Sequence, residues 1–295
     1  MVIICKTIQT LRDEIKLKKK TIRASTGKDE PTVGFVPTMG YLHRGHISLV
    51  EQARAANDIV VASIFVNPTQ FAPHEDLASY PVDIESDVRL LTAANADILF
   101  LPSVAEMYGT DASTFVEVTS MAPVLESVAR PGHFRGVATV VTKLLNIVSP
   151  DVMYIGQKDA MQCVCLRKMV RDLAFNTLVV VGDTVRESNG LAMSSRNSYL
   201  TPEEREEAAL IYREMTNMKQ HYQTTTRQAL ADLLKDTLES GCSKMKVDYI
   251  SLANGDTGIE LENDSVIPNG AILSLAVFFH GANRKTRLID VIILN

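Results

Sequence analysis

The chain has 295 residues, of which 46% are hydrophobic and 22% are charged. Its 30 Lys and Arg residues against 35 Asp and Glu residues give a net charge of −5, which argues against a general binder of nucleic acid or of anionic membranes, because such partners require a surplus of cations. Fifteen glycines and 11 prolines give no sign of a collagen-like or low-complexity chain, so the composition leaves an ordinary globular protein.

Short apolar runs alternate with helical patterns over the first two thirds of the chain. Continuous apolar runs of this kind are typical of strands that are covered on both faces, as in a parallel sheet. Strands are predicted at 32–37, 58–66, 96–101, 152–155 and 177–181, and helices at 46–56, 84–94, 137–148 and 161–172. Strand–helix alternation at this pitch predicts a Rossmann-like, doubly wound α/β domain with a parallel sheet and right-handed crossovers.

The pattern changes after residue 200. The run Thr201-Pro202-Glu203-Glu204 places proline in the first turn and glutamate three residues after an N-cap threonine, which predicts a helix start. That helix is predicted to reach about residue 222, followed by a helix over 227–239 and strands over 246–253, 271–280 and 287–294. The chain is therefore predicted to divide into a Rossmann-like domain at 1–184 and a smaller α+β domain with an antiparallel sheet at 185–295.

The four cysteines include no C-x-x-C pair, which favours reduced and mostly buried thiols over a metal site or disulfides. Charged residues interrupt the N-terminal segment before a signal-like apolar core forms. The apolar stretch 271–279 is far shorter than the ~20 residues that span a bilayer. We therefore expect a soluble, cytoplasmic protein that binds neither membrane nor nucleic acid.

The segment Pro37 to His46 (PTMGYLHRGH) joins the first predicted strand to a helix, at the edge of an α/β sheet where ligands bind. Gly40 and Gly45 allow close approach of the backbone, and a helix N-terminus attracts anions. His43 and His46 are three residues apart, so both rings can face a phosphate whose negative charge grows during a reaction. Zinc binding through H-x-x-H is an alternative, although no third ligand lies nearby in the sequence.

Two later segments are also suited to phosphates. In the segment 156–159 (GQKD), Lys158 can neutralise a phosphate, although a surface turn explains the segment equally well. In the segment 185–197, two hydroxyls and the Arg196 guanidinium suit the tail of a polyphosphate, although a polar linker is the alternative. Because no G-x-x-x-x-G-K-[ST] loop is present in the sequence, the three segments together predict cleavage of ATP between its α- and β-phosphates, giving an adenylate.

These segments resemble a known family. H-x-G-H after a strand, with a later M-S-S-R loop, resembles the HIGH-type nucleotidyltransferase superfamily, and the resemblance is closer still to the pantothenate synthetase (pantoate–β-alanine ligase) family. The similar segments cover nearly the whole chain and are PTMGYLHRGH at 37–46, IFVNPTQF at 64–71, RPGHFRGVATVV at 130–141, GQKD at 156–159 with Gln162, and VRESNGLAMSSRNSYL at 185–200.

The resemblance implies an AMP-forming ligase that condenses (R)-pantoate with β-alanine through a pantoyl adenylate, releasing AMP and pyrophosphate, in a cytoplasmic homodimer that uses Mg²⁺. The catalytic residues that it implies are His43, His46, Lys158 and Arg196. The ATP site that it implies comprises Met39, Gly40, Tyr41, Leu42, His43, Arg44, Gly45, His46, Gly156, Gln157, Lys158, Asp159, Val185, Met193, Ser194, Ser195 and Arg196. The residues implied for pantoate and β-alanine are Pro37, Asn67, Gln70, Arg130 and Gln162, and Asp87 matches a position associated with Mg²⁺.

The residue types agree with these roles. Amides such as Asn67 and Gln70 hold a small polar acid without adding charge repulsion, and Pro37, Met39 and Phe65 suit the methyl groups of pantoate. Four positions depart from the family pattern, namely Val82, Met161, Asp183 and Asn189, and none of them removes a group assigned to the chemistry.

Three other functions share some of these features. An adenylyltransferase acting on a phosphorylated cofactor precursor would share H-x-G-H and the Ser-Arg loop, but it would need a basic pocket for the substrate phosphate. A tRNA-charging enzyme would need an anticodon-binding domain and a basic surplus, which the sequence does not show. A non-catalytic nucleotide-binding module would not need both histidines.

Overall fold

The computed structural model describes residues 1–73 and 75–295. Its strands are β1 (Ile3–Cys5), β2 (Val33–Thr38), β3 (Ile59–Ile64), β4 (Ile98–Phe100), β5 (Val152–Gly156), β6 (Leu178–Gly182), β7 (Met245–Ala253), β8 (Ala271–His280) and β9 (Lys285–Leu294). Its helices are α1 (Ile8–Thr26), α2 (Arg44–Ala56), α3 (Ile84–Ala93), α4 (Val104–Met107), α5 (Leu125–Ala129), α6 (His133–Val148), α7 (Ala160–Asp172), α8 (Pro202–Ala208), α9 (Leu210–Met218) and α10 (Arg227–Gly241).

The described residues form two compact units. The first comprises 1–118, 132–156 and 165–182, and the second comprises 119–131, 157–164 and 183–295. The division at 182/183 lies two residues from the predicted boundary at 184/185. No sequence pattern predicts that the segments 119–131 and 157–164 group with the C-terminal part of the chain.

The first unit is built on a six-stranded parallel sheet in the order β1-β4-β3-β2-β5-β6. Every residue of β3 is buried, which is why this strand is a continuous apolar run in the sequence. The order reverses between β2 and β5, because β3 lies on one side of β2 and β5 lies on the other. Ligands of open α/β sheets bind at such a switch point, outside the carboxyl ends of the strands. The segment that follows β2 therefore lies where a ligand is expected.

The second unit contains a three-stranded antiparallel sheet in the order β7-β8-β9, packed with α8 to α10 around an apolar core. Fully buried leucines from α10 and β8, such as Leu230, Leu234 and Leu273, form the centre of this core. At the predicted helix start, the Thr201 side chain accepts from the Glu204 N–H and the Glu204 side chain accepts from the Thr201 N–H. The predicted fold class is confirmed: a Rossmann-like parallel sheet, followed by a smaller α+β part with an antiparallel sheet.

Several features of the fold differ from the expectations, since α1, α4, α5 and β1 are not predicted and one predicted helix is divided. β1 is not predicted because three residues are too few for an apolar run or an alternation to be recognised, although all three are apolar. The helix predicted to reach residue 222 is divided at Ala209 into α8 and α9.

Three of the four cysteines, Cys5, Cys163 and Cys165, are buried, in agreement with the expected thiols. Burial raises the pKa of the Cys165 thiol to about 12, so this thiol stays protonated at neutral pH. Within the described ranges, none of the helices combines the length and the apolar character that crossing a bilayer requires.

Candidate active site

The two predicted histidines meet at the start of α2. His43 is the N-cap residue, and its Nδ1 atom accepts a hydrogen bond from the Gly45 N–H at 3.1 Å. The Nδ1 atom of His46 accepts from the backbone N–H of His43 at 3.3 Å. The two rings lie with their centroids 4.0 Å apart, so they are neighbours, as a spacing of three residues at a helix start allows.

The backbone contacts fix the tautomer of both rings. A backbone N–H can only donate, so each Nδ1 atom must be the acceptor nitrogen of a neutral imidazole. Each Nε2 atom therefore carries the ring hydrogen and is a donor. The start of α2 thus holds two neighbouring imidazole donors beside the positive end of a helix dipole, an arrangement suited to a phosphate that gains negative charge.

The loop before α2 is held by Asp87 of α3. One carboxylate oxygen accepts from the Tyr41 N–H at 2.9 Å and the other accepts from the Leu42 N–H at 2.7 Å. The backbone is left-handed at two residues, Gly40 with φ +89° and Tyr41 with φ +50°, which glycine adopts freely but which strains Tyr41. A Cβ atom at Gly40 would lie 2.9 Å from the Ile64 side chain, so this position requires glycine. The Asp87 carboxylate thus stabilises the strained turn that positions His43 and His46.

These contacts bear on the predicted role of Asp87 in binding Mg²⁺. Only 1% of Asp87 is exposed, and both of its oxygens accept backbone N–H groups. Burial raises the pKa of this carboxyl, while the bonds from Leu42 and Tyr41 lower it. The metal role remains a prediction, which the contacts of the two oxygens do not favour.

Asp87→Asn is expected to destabilise the protein by about 1–3 kcal/mol, because an amide offers one acceptor where two buried N–H groups need one each. The free energy of unfolding in urea measures this change. Asp83→Asn is the matched control in α3, since Asp83 caps the helix through the Ser86 N–H and asparagine caps equally well. Equal stability of the two variants would contradict the role given to Asp87.

A cluster of buried amides lies at the 3₁₀ turn Pro68–Gln70, after β3. Asn67 is 1% exposed and Gln70 is 9% exposed. The Asn67 Nδ2 atom donates to the Gln70 Oε1 atom at 3.0 Å and to the Gly136 carbonyl at 3.2 Å. The Asn67 Oδ1 atom accepts from the Thr69 N–H and from the Thr69 and Tyr108 hydroxyls.

This network fixes the orientation of the Gln70 amide. Because Asn67 bonds a backbone N–H and a backbone carbonyl, its two amide atoms cannot exchange places. Gln70 must then present its oxygen to Asn67, and its Nε2 atom lies 3.2 Å from the Met39 sulfur as a donor. The predicted residues Met39, Asn67 and Gln70 are therefore brought together, and the role of Gln70 in binding a substrate remains a prediction.

Three residues of this cluster were not predicted. His133, the first residue of α6, lies 2.9 Å through Nδ1 from the Gln70 carbonyl, so this nitrogen is the donor. A Cβ atom at Gly136 would lie 2.4 Å from the Thr69 carbonyl oxygen, so α6 packs directly on the turn. His133 and Gly136 belong to the segment RPGHFRGVATVV, which signals the family but not this contact, and no sequence signal marks Tyr108.

An apolar cavity of about 270 Å³ opens beside Met39 and Gly40. Phe65, Ile64 and Leu101 are among the residues that line it. The predicted apolar residues Met39 and Phe65 thus border a space of suitable character for a branched aliphatic group. The Arg44 side chain is exposed and pairs with Glu51 at 2.6 Å.

In the second unit, Gln157, Lys158 and Asp159 form a 3₁₀ turn that precedes α7, with Lys158 Nζ 3.7 Å from the Asp159 carboxylate. Ser194 caps a 3₁₀ turn over Ser195–Tyr199 through the Arg196 N–H. Gln162 is half-buried in the first turn of α7. The roles of these residues remain predictions.

Arg130, predicted near the substrate, belongs to a charged cluster in the second unit. Its guanidinium lies 3.3 Å from Glu126 in α5. Arg287 of β9 binds both Glu126 oxygens, at 3.1 and 2.8 Å, and also Asp248 of β7 at 3.0 Å. Burial raises the pKa of Glu126, but the hydrogen bonds and charge of Arg287 and the charge of Arg130 outweigh it and bring the pKa down to about 2.

The low pKa of Glu126 predicts a loss of stability in acid. Since the pKa falls from its ordinary value of 4.5 to about 2 on folding, the pair stabilises fully above pH 4.5 and loses this contribution as the pH falls through about 2. A shift of this size corresponds to about 3 kcal/mol. Urea unfolding between pH 5 and 2 is expected to show a flatter pH dependence for Glu126→Gln than for the wild type or for the exposed control Glu51→Gln. The same dependence of the free energy of unfolding on pH in all three proteins would contradict the contribution given to Glu126.

Comparison with known proteins decides the family. The model of the pantoate-beta-alanine ligase family matches residues 3–293. The chain belongs to this family. It is 52% identical to a pantoate–beta-alanine ligase of Dictyostelium discoideum and 47% identical to a pantothenate synthetase of Thermotoga neapolitana, each alignment covering 99% of both chains.

Solved structures agree with this membership. A pantothenate synthetase of Thermus thermophilus superposes with a TM-score of 0.82 at 40% identity, over 99% of both chains. A pantoate-beta-alanine ligase of Francisella tularensis, complexed with beta-gamma ATP and beta-alanine, has a TM-score of 0.77 at 34% identity, over 99% of this chain and 98% of that one. The resemblance to an ATP-dependent ligase family is confirmed, and the comparisons do not support the adenylyltransferase alternative.

Proposed function

We propose that the chain condenses (R)-pantoate with β-alanine in a reaction that consumes ATP, proceeds through a pantoyl adenylate, and releases AMP and pyrophosphate. The pair of imidazole donors at the start of α2 is the observation that carries this proposal. A carboxylate is a poor acyl donor because oxide is a poor leaving group, and attaching AMP to it solves this problem.

In the first step, an oxygen of the pantoate carboxylate attacks the α-phosphorus of ATP. The bond from this phosphorus to the oxygen that bridges to the β-phosphate breaks, and pyrophosphate leaves. Negative charge grows on the α-phosphate oxygens as the two bonds exchange. His43 and His46 stabilise this charge through their Nε2–H donors, which the backbone contacts hold in place before the reaction begins.

The amide cluster supplies the recognition of the acid. Gln70 donates from Nε2 to a hydroxyl or carboxylate oxygen of pantoate, and Asn67 holds Gln70 in the orientation that this requires. The apolar cavity beside Met39 takes the methyl groups. A buried amide left without its partner costs free energy, so an acid without the matching oxygen is rejected.

In the second step, the neutral amine of β-alanine attacks the acyl carbon of the adenylate. The amide C–N bond forms, the acyl C–O bond to AMP breaks so that AMP leaves, and the amine nitrogen releases a proton to water. Arg130 is proposed to attract the carboxylates of the substrates, and Gln162 to hold pantoate. Holding the two reactants together can supply ~7–11 kcal/mol of the barrier in favourable cases.

The remaining assignments are also proposals. Lys158 and the segment Ser194–Arg196 of the second unit are proposed to bind the β- and γ-phosphates of ATP. The described ranges hold no group of three or more His, Cys, Asp or Glu side chains placed to bind a metal, so these residues do not fit a metal held by protein side chains alone. We propose that Mg²⁺ is held mainly by the phosphate oxygens of ATP, as is common for this ion.

We also propose that the chain is a cytoplasmic homodimer. Sedimentation of the purified protein at several concentrations gives the mass of the assembly. A monomer mass at every concentration would contradict the dimer.

Exchange of labelled pyrophosphate into ATP tests the proposed function, because it reports the first step alone. Exchange is expected with pantoate present and β-alanine absent, and not with β-alanine alone. No exchange with pantoate, together with exchange on another acid, would contradict the proposed substrate. Transfer of AMP to phosphopantetheine or to nicotinate mononucleotide would instead support the adenylyltransferase.

A further inference from the structure

The segment Ser194–Arg196 of the second unit follows a short hairpin. Arg186 and Ala192 form a bridge, and the Glu187 N–H donates to the Leu191 carbonyl at 2.8 Å. The turn of the hairpin is closed by the Gly190 N–H, which donates to the Glu187 carbonyl at 2.9 Å, with Gly190 at φ +96°. Because the hairpin ends two residues before Ser194, its position determines the position of the segment Ser194–Arg196.

The Arg186 guanidinium fastens this hairpin to β9. One terminal nitrogen donates to the Gly190 carbonyl at 3.1 Å and to Asp290 at 2.7 Å. The other donates to the second Asp290 oxygen at 2.8 Å and to the Val291 carbonyl at 3.2 Å. The guanidinium also lies 3.6 Å above the Tyr212 ring of α9. All four N–H groups of the two terminal nitrogens are used, so Arg186 has one favoured position.

Asp290 receives this guanidinium inside the second unit. The residue is 2% exposed, and its Oδ1 atom also accepts from the Val291 N–H at 2.7 Å. β9 also packs on the turn Gln157–Asp159, which carries Lys158. Burial raises the pKa of Asp290, and the hydrogen bonds and charge of Arg186 and the charge of Lys158 oppose this. One strand therefore supports both of the cationic segments that the second unit contributes to the proposed phosphate site.

We infer that Asp290 is a positioning residue for ATP: through Arg186 it fixes the hairpin that sets the conformation of Ser194–Arg196. This inference rests on the proposed binding of ATP phosphates by that segment. A buried ion pair is weak evidence for stability by itself, because apolar side chains of similar volume often serve equally well. Apolar side chains, however, could not donate the hydrogen bonds by which Arg186 connects Asp290 of β9 to the Gly190 carbonyl of the turn.

The test is Asp290→Asn, which keeps the shape of the side chain and removes its charge and one acceptor. We expect the KM for ATP in pyrophosphate exchange to rise by about 10- to 100-fold, since misplacing a binding group by 1 Å has effects of this order. The KM for pantoate is expected to stay within about twofold, because Asn67 and Gln70 lie in the first unit. The proposed pantoate residues of the second unit, Arg130 and Gln162, are not among the described hydrogen-bond partners of Arg186 and Asp290. ATP binding by calorimetry, without turnover, is expected to weaken by the same factor.

Glu260→Gln is the matched control. Glu260 also pairs with an arginine of the second unit, Arg227, at 3.1 Å, and it makes no contact with the hairpin in the described residues. This variant is expected to keep the wild-type KM for ATP. Tyr212→Leu removes the stacked ring without burying a charge, and a smaller rise in the same KM is expected, which keeps the test available if Asp290→Asn does not fold.

A double-mutant cycle separates positioning from general stability. If Asp290 acts through Arg186, the effect of Asp290→Asn on the KM for ATP should largely disappear in the Arg186→Gln background. Additive effects, equal changes in all kinetic constants, or an unchanged KM for ATP in Asp290→Asn would overturn the inference. If the wild type itself shows no pantoate-dependent exchange while calorimetry shows ATP binding that Asp290→Asn weakens, the proposed reaction fails and the inference stands.

Discussion

Replacing His46 by asparagine is expected to lower the rate of pantoate-dependent pyrophosphate exchange by about 10²- to 10³-fold, the usual effect of removing one donor aimed at developing charge. Asparagine can still accept the His43 N–H, as the Nδ1 atom does, so the start of α2 is expected to keep its cap. It places no donor where the Nε2–H group of the imidazole lies. The variant therefore separates the chemical role of His46 from its structural one.

Two further variants complete this test. His46→Gln carries an amide donor near the position of Nε2, so part of the lost rate is expected to return. His280→Asn replaces an exposed histidine of the second unit and is expected to leave the exchange rate unchanged. Wild-type exchange in His46→Asn, or equal rates in the asparagine and glutamine variants, would show that His46 does not act as a donor to the nucleotide.

Gly136→Ala is expected to raise the KM for pantoate by about 10²-fold, because a displacement of about 1 Å at a binding group has an effect of this size. The new methyl group would lie 2.4 Å from the Thr69 carbonyl oxygen and 2.7 Å from the Gln70 Cα atom. Both neighbours are backbone atoms, so the turn that carries Gln70 must move. Steady-state kinetics with varied pantoate, at saturating ATP and β-alanine, measures the change.

The control for this substitution is Gly241→Ala, at the end of α10. A methyl group there would meet only the end of the Leu210 side chain, which can rotate away. Both substitutions place alanine in a helix, so the helix propensity changes in the same favourable direction in both. A KM for pantoate that stays at the wild-type value in Gly136→Ala would mean that the turn Pro68–Gln70 does not position the acid.

The sequence predicts those features that depend on local patterns. The strands over 32–37 and 58–66 are apolar runs because both faces of a central parallel strand are buried, and their positions agree with β2 and β3 within two residues. The cap at Thr201 is likewise local. The meeting of His43 and His46 follows from a spacing of three residues at a helix start.

The features that the sequence does not predict depend on distant partners. Gly136 approaches Thr69 across 67 positions of the chain, and Tyr108 donates to Asn67 from another loop. The loop before α2 also depends on a distant partner, since Asp87 of α3 accepts hydrogen bonds from the backbone N–H groups of Tyr41 and Leu42. An aspartate in a helix has no pattern that distinguishes a backbone acceptor from a metal ligand, and the metal role was therefore inferred from the resemblance alone.

The second unit is assembled from three separate stretches of the sequence, which constrains the order of events during biosynthesis. Its ionic contacts join Glu126 to Arg287 and Arg186 to Asp290, so the earlier partners are synthesised long before the later ones. Until the ribosome has passed residue 290, Arg186 lacks the carboxylate of Asp290, and Glu126 can pair with Arg130 but not with Arg287 until that residue is made. A recombinant fragment limited to 185–295 would lack Glu126 and the turn that carries Lys158, and would therefore be a poor substitute for the intact protein.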